Sequence, residues 1–195
     1  MRPGVPRATP GFPEPRRFVP PEPSERPTHR RRAVRVFVRD PAGRLLLFQD
    51  SDLGMDPVVH WWVTPGGGVE EGESDVDAVV RELFEETGLR LTTADVIGPL
   101  AARHVIHGYS DQVTLQEEIF FAVEVAPFEV DTSGHTAQEL EVVHDIRWWS
   151  RAELESREDD VWPRSLEALL ALADTHVPGT PSRRLPPSEE STLPS

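Results

Sequence analysis

Cysteine is absent from all 195 residues, so neither a disulfide framework nor thiolate-ligated zinc contributes to the fold or the chemistry. Lysine is absent as well, and every one of the 20 basic residues is an arginine. No apolar run approaches the roughly 20 residues of a membrane helix, and the N-terminus lacks the apolar core of a secretory signal. A cytoplasmic protein without membrane contact is therefore expected. No internal repeat is evident. Cations are scarce relative to anions, with 34 Asp and Glu against 20 Arg and a formal net charge of −14.

That charge is unevenly spread. The first 32 residues carry eight arginines against three glutamates, which is +5 (8 − 3) and leaves −19 (−14 − 5) for the remainder. A surface of that sign suits a nucleic-acid backbone poorly, so nucleic acid is not the expected partner. The cluster Arg30, Arg31 and Arg32 could hold a phosphate or an RNA backbone, although such clusters more often belong to solvated linkers. The same 32 residues hold nine of the 20 prolines and show no hydrophobic period. Residues 1–32 are thus expected to be a disordered arm and 33–177 a single domain, with a second disordered tail, rich in Pro and Ser, over 178–195.

What the chain does have is concentrated between Pro65 and Leu89, PGGGVEEGESDVDAVVRELFEETGL. Glu82, Glu85 and Glu86 stand at i, i+3 and i+4, so a helix projects them from one face. Val76, Val79, Val80 and Leu83 recur at helical spacing and supply an apolar stripe beside them. Ser74 followed by Asp77 marks the start and Gly88 the end. Like charges at these spacings repel by roughly 0.2–0.5 kcal/mol each, so three carboxylates together need a reason. A solvated acidic face is one. A hard divalent cation, Mg²⁺ or Mn²⁺, is another, and the preceding Gly66, Gly67 and Gly68 favour it by freeing backbone for close approach and leaving carbonyls available. Arg81, beside Glu82 and one turn before Glu85, can orient these acids through charge-assisted hydrogen bonds or form an ordinary helix ion pair.

The run fits G-x5-E-x7-R-E-U-x-E-E-x-G-U, with U a bulky aliphatic residue, through Gly67, Glu73, Arg81, Glu82, Leu83, Glu85, Glu86, Gly88 and Leu89. In this it resembles the Nudix hydrolases, and the resemblance extends over about residues 33–173. It implies an α/β fold, an α/β/α sandwich with a mixed β-sheet, and metal-dependent hydrolysis of a pyrophosphate linkage in a nucleoside diphosphate derivative such as a nucleotide, sugar nucleotide or dinucleotide. By motif position it implies Glu85 and Glu86 as metal ligands, the Gly67 carbonyl as a backbone ligand and Glu82 as ligand or general base. Arg81 would orient Glu82, and Glu73 would be an associated carboxylate. A non-catalytic nucleotide-binding regulator on the same fold is the alternative, and a homodimer is compatible with either.

Substrate recognition must come from outside the run. Trp61 and Tyr109 are candidates for stacking on a base, Arg103 for holding phosphate, and Glu118 (or its neighbour Glu117) for an additional acid or base. Around the run, 33–39 and 44–49 read as a hairpin about Asp40-Pro41-Ala42-Gly43. Strands are expected within 96–107, 113–125 and 142–149, a loop over 126–138, and a closing helix over 163–173 with Pro163 in its first turn.

Overall fold

A computed structural model of the protein describes residues 21–135 and 142–193. Its frame is one mixed sheet of β1 (Thr28–Arg39), β2 (Leu45–Asp52), β3 (Val59–Val63), β4 (Ile97–Gly108), β5 (Val113–Glu124), β6 (Asp145–Trp149), β7 (Asp160–Trp162), β8 (Arg183–Arg184) and β9 (Ser188–Ser191). The order is β7-β3-β2-β1-β5-β4-β8, with β6 paired to β2 and β9 to β4. Helices α1 (Asp75–Thr87), α2 (Arg151–Ser156) and α3 (Leu166–Asp174) pack against it.

Strand alternation decides which helix covers which face. Val34, Val36 and Val38 of β1 are fully buried in one core with Ala78, Val79 and Leu83 of α1. Phe37, pointing the other way, lies parallel to Phe120 of β5 at 6.0 Å and shares the second core with Leu166, Leu169 and Leu170 of α3. Helices on both faces of a mixed sheet make the α/β/α sandwich expected from the resemblance.

The anticipated hairpin forms only at its root. Gly43 takes φ +74° and the Asp40 side chain accepts the Ala42 and Arg44 N–H groups, so the turn is built as its sequence suggests. Beyond it, β1 and β2 share the single register pair Arg39–Leu45. The two strands then part. β3 fills the opening along β2, pairing Phe48 with Val63 through Asp52 with Val59. The glycine loop that follows takes the edge of β1, where Val36 N donates to Pro65 O and Val34 N to Gly67 O, both at 2.9 Å, and Val69 N to Arg32 O at 3.0 Å. The loop is therefore part of the sheet's hydrogen bonding.

Both expected tails need correction, the first at its inner end and the second over most of its length. Residues 1–20 lie outside the described residues, but 28–32 belong to β1, whose parallel ladder with β5 starts at Thr28–Val113. At the other end, β8 and β9 extend the sheet from β4, and Leu185 N and Thr192 N donate to Ala102 O and Gly108 O at 2.8 and 3.0 Å. Polar, proline-rich composition suggested disorder because it predicts little apolar burial. Main-chain pairing to an otherwise open strand edge does not depend on composition. Helix α2 was not anticipated. It is short and is set by the Ser150–Glu153 capping box.

Gly66 carries a strict requirement, since its φ is +121° and a Cβ there would lie 2.3 Å from Val34 O. Gly66→Ala should lower unfolding stability by at least about 1–3 kcal/mol. Gly68→Ala, whose Cβ would meet nothing within 4 Å, should change it by less than about 1 kcal/mol. Urea midpoints of the two variants check this, and equal midpoints would refute it.

Candidate active site

Helix α1 is capped as its sequence indicates. Ser74 Oγ accepts from Asp77 N at 3.2 Å, and Gly88, at φ +71°, returns its N–H to Phe84 O at 2.9 Å. Between these ends the helix turns Ala78, Val79 and Leu83 into the core and carries Glu82 partly in with them, at 8% exposure. Burial pushes the Glu82 carboxyl above its usual range, against the opposing pull of Arg81. Glu85 stays exposed.

Arg81 is the hub. Its Nε and Nη2 form a fork on Glu73, both at 2.8 Å; Nη1 reaches Glu82 at 2.8 Å and Glu85 at 3.0 Å; and Nη2 also donates to Gly68 O at 2.8 Å. All five guanidinium donors are used, and three acids and the loop are held by one side chain. The hydrogen bonds from Arg81 hold Glu73 below its ordinary range. A second tie joins loop to helix, from Gly66 N to Glu86 at 2.8 Å. Gly67 must be glycine for a different reason from Gly66. A Cβ there would sit 2.5–2.7 Å from the Glu82 carboxylate, so only the bare backbone lets the loop approach this acid.

The loop carbonyls are less open than three successive glycines suggest. Pro65 O and Gly67 O each accept from β1, Gly66 O from Arg35 Nη1 at 3.1 Å, and Gly68 O from Arg81. Each carbonyl retains a second lone pair. Among the described residues, no three acidic or histidine side chains already converge as a metal site. The donor set nevertheless fits a hard divalent ion, because Glu82, Glu85, Glu86 and Gly67 O are all oxygen donors and the missing Cβ of Gly67 lets the loop backbone lie against the Glu82 carboxylate.

Facing these acids is a basic pair, of which the sequence points to Arg31 only within the Arg30–Arg32 cluster and not to Arg35. Arg31 and Arg35 both interact electrostatically with Glu118 and Tyr109, and each also with an acid of α1, Arg31 with Glu82 and Arg35 with Glu86. Arg31 Nε donates to Gln116 Oε1. Arg35 Nε donates to Glu118 at 3.2 Å. The signal was present: once β1 begins at Thr28, Arg31, Ala33, Arg35 and Phe37 alternate onto one face. Assigning 1–32 to an arm cut that pattern in two. Asp50 is a further residue that the sequence does not single out; it lies in β2, in electrostatic contact with Arg35 and Tyr109.

The substrate candidates fare unequally. Trp61 is 2% exposed and stacks on Trp162 at 4.7 Å, so it has no free face to offer a base. Arg103 is 3% exposed and its donors go to Glu118, Glu190 and Ser188, which leaves none for a phosphate. Burial alone would raise the Glu118 carboxyl, but His107, Arg35 and Arg103 hold it well below the usual range. A carboxylate so stabilised is a poor proton acceptor, and its place is to hold arginines. Glu117 pairs with Arg32 at 2.7 Å. Tyr109, partly exposed and 6.0 Å from Trp61, remains available at the edge of this aromatic group.

The NUDIX domain profile matches residues 29–171. An RNA pyrophosphohydrolase of Bartonella quintana is 42% identical over 66 residues, which is 31% of this chain and 36% of that protein. The Nudix hydrolase YvcI of Bacillus subtilis is 50% identical over 38 residues, 20% of this chain and 24% of that protein. The matched stretches thus span about a third or less of these relatives. Among solved structures, the MutT protein of Bacillus halodurans aligns with TM-score 0.50 and 21% identity over 83% of this chain and 91% of that one. The E. coli ORF135 protein aligns with TM-score 0.50 and 22% identity over 78% and 96%.

The setting of Asp50 gives a pH dependence. Burial raises its carboxyl from 3.8 to about 6, so the unfolded chain ionises it first and the native state loses stability as pH rises from about 4 to 6. Asp50→Asn removes that loss. The variant should exceed the native protein in stability by at most about 3 kcal/mol at pH 8, with the difference gone by about pH 4. Paired urea denaturation at the two pH values measures it, and a gain that persists at pH 4 contradicts the assignment.

Proposed function

This chain belongs to the NUDIX domain family, and we propose that it is a Mg²⁺- or Mn²⁺-dependent hydrolase of a pyrophosphate linkage in a nucleoside diphosphate derivative. The observation that carries the reading is the Arg81 fork holding Glu73, Glu82 and Glu85 against the glycine loop. A regulator that only binds nucleotide has no need of a full carboxylate set so organised. Water attacking a pyrophosphate brings a nucleophile to an anionic phosphorus centre, and both parts of the site answer that difficulty.

Glu82, Glu85, Glu86 and the Gly67 carbonyl would hold the ion, which when bound screens the phosphates, polarises the P–O bond and lowers the pKa of water. Arg31 and Arg35 attract phosphate oxygens from the opposite side. Arg81 keeps the acids oriented. Glu82, whose carboxyl burial pushes above its usual range, is suited to take a proton as well as to ligate. Tyr109 offers a ring for the base. The local likeness to RNA pyrophosphohydrolases adds RNA to the substrates worth testing, alongside nucleoside triphosphates, sugar nucleotides and dinucleotides.

Glu85→Gln should lower turnover by at least about 100-fold. Because Glu85 is exposed, its unfolding midpoint should hold within about 0.5 kcal/mol. EDTA should stop the native reaction and Mg²⁺ or Mn²⁺ restore it. A metal-supplemented substrate panel in isotope-labelled water provides the assay. Normal turnover by Glu85→Gln would sink the assignment, and tight binding without any product would identify a nucleotide-binding regulator instead.

A further inference from the structure

Strand β9 lies beyond the stretch that the NUDIX profile matches, residues 29–171, yet its Glu190 is fully buried within the charged group behind the site. Its Oε1 accepts from Arg103 Nη1 and its Oε2 from Arg103 Nη2, each at 2.8 Å, and Oε1 also accepts Arg164 N at 2.8 Å. Arg103 then gives Nε to Glu118 Oε2 at 2.7 Å. The other oxygen, Glu118 Oε1, receives Gln116 Nε2 at 2.8 Å and Arg35 Nε at 3.2 Å. Gln116 holds Arg31, and Arg35 reaches the Gly66 carbonyl. One chain of charged contacts therefore runs from the last strand to both arginines that face the acids of α1.

The two oxygens of Glu118 are divided between these neighbours. Arg103 takes only Oε2, with Nε at 2.7 Å and Nη2 at 2.6 Å, because Glu190 and Ser188 hold its other donors. If Glu190 lost its charge, Glu118 would be the one acid among the described residues still paired with the buried Arg103 guanidinium, and competition of that kind is strong in a low-dielectric interior. Arg35 and Gln116 would then lose their acceptor. We propose that Glu190 is a positioning residue for phosphate binding: by saturating Arg103 it reserves Glu118 Oε1 for Arg35 and Gln116, and so holds Arg35 and Arg31 toward the substrate phosphates. The proposal rests on the phosphate-holding role given to these two arginines above.

The test uses the full chain, with steady-state kinetics and calorimetric binding of an α,β-methylene nucleoside diphosphate. Glu190→Gln should raise both KM and the analogue's Kd about tenfold while kcat per folded molecule stays within about twofold, and Glu190→Asp, which keeps the charge, should show a smaller rise. A strand that is merely structural predicts the opposite split, with fewer active molecules and unchanged KM and Kd, and that result overturns the proposal. Should Glu190→Gln fail to fold, Glu190→Asp decides on the same axes, unchanged constants counting against. In a cycle with Arg35→Lys the two effects on Kd should not multiply, since they act through one group, and full multiplication would refute the linkage. Analogue binding without turnover would remove the hydrolase reading and leave the Kd comparison to judge Glu190. A native chain that binds no analogue would remove both.

Discussion

Three of the carboxylates in the cleft, Glu73, Glu82 and Glu85, lie close enough to repel one another, and a single guanidinium holds them in place. Arg81 spends its five donors on those three acids and the Gly68 carbonyl, so the helix face and the loop in front of it become one rigid unit. The rest of the architecture serves that unit. β1 and β2 separate after one pair to admit the loop, the loop takes up the hydrogen bonds β1 would otherwise lack, and the valines of β1 fix the helix above it. A change in any of these moves the acids.

A second charged system stands behind the first. Glu118, which the sequence offers as an additional acid or base, is enclosed by Arg35, Arg103, Gln116 and His107 and serves as their common acceptor. Buried ion pairs of this kind are weak evidence for net stability, because desolvation offsets most of the Coulombic gain, but they specify side-chain direction well. Here the direction specified is that of Arg31 and Arg35. The two systems meet across the cleft, one negative and suited to cations, the other positive and suited to phosphate. That pairing gives a strongly acidic chain one positive face.

The parts of the fold legible in sequence were those with local causes. Helix α1 was readable end to end because its cap, apolar stripe and terminating glycine all lie within one short segment. β4, β5 and β6 announced themselves through apolar runs, and α3 through its leucines. Less legible were features whose partners are remote: the glycine loop on the edge of β1, the short extent of the β1–β2 ladder, and the pairing of β8 and β9 with β4. Trp61 and Arg103 were misjudged for the same reason. Alternation tells which side of a strand a residue occupies, but not whether another layer, here Trp162 or Glu190, already covers it.

The chemistry of the acidic face, with its oxygen donors, orienting arginine and unhindered glycine loop, was therefore determined by the sequence alone, since all of its elements fall within a single loop and helix whose geometry follows from local spacing. Tertiary structure alone decided the opposing basic face, which draws Arg31 and Arg35 from β1, Glu118 from β5, Arg103 from β4 and Glu190 from β9. No periodicity links those strands along the chain. They meet only because an edge left unpaired by one segment is completed by another far away in sequence.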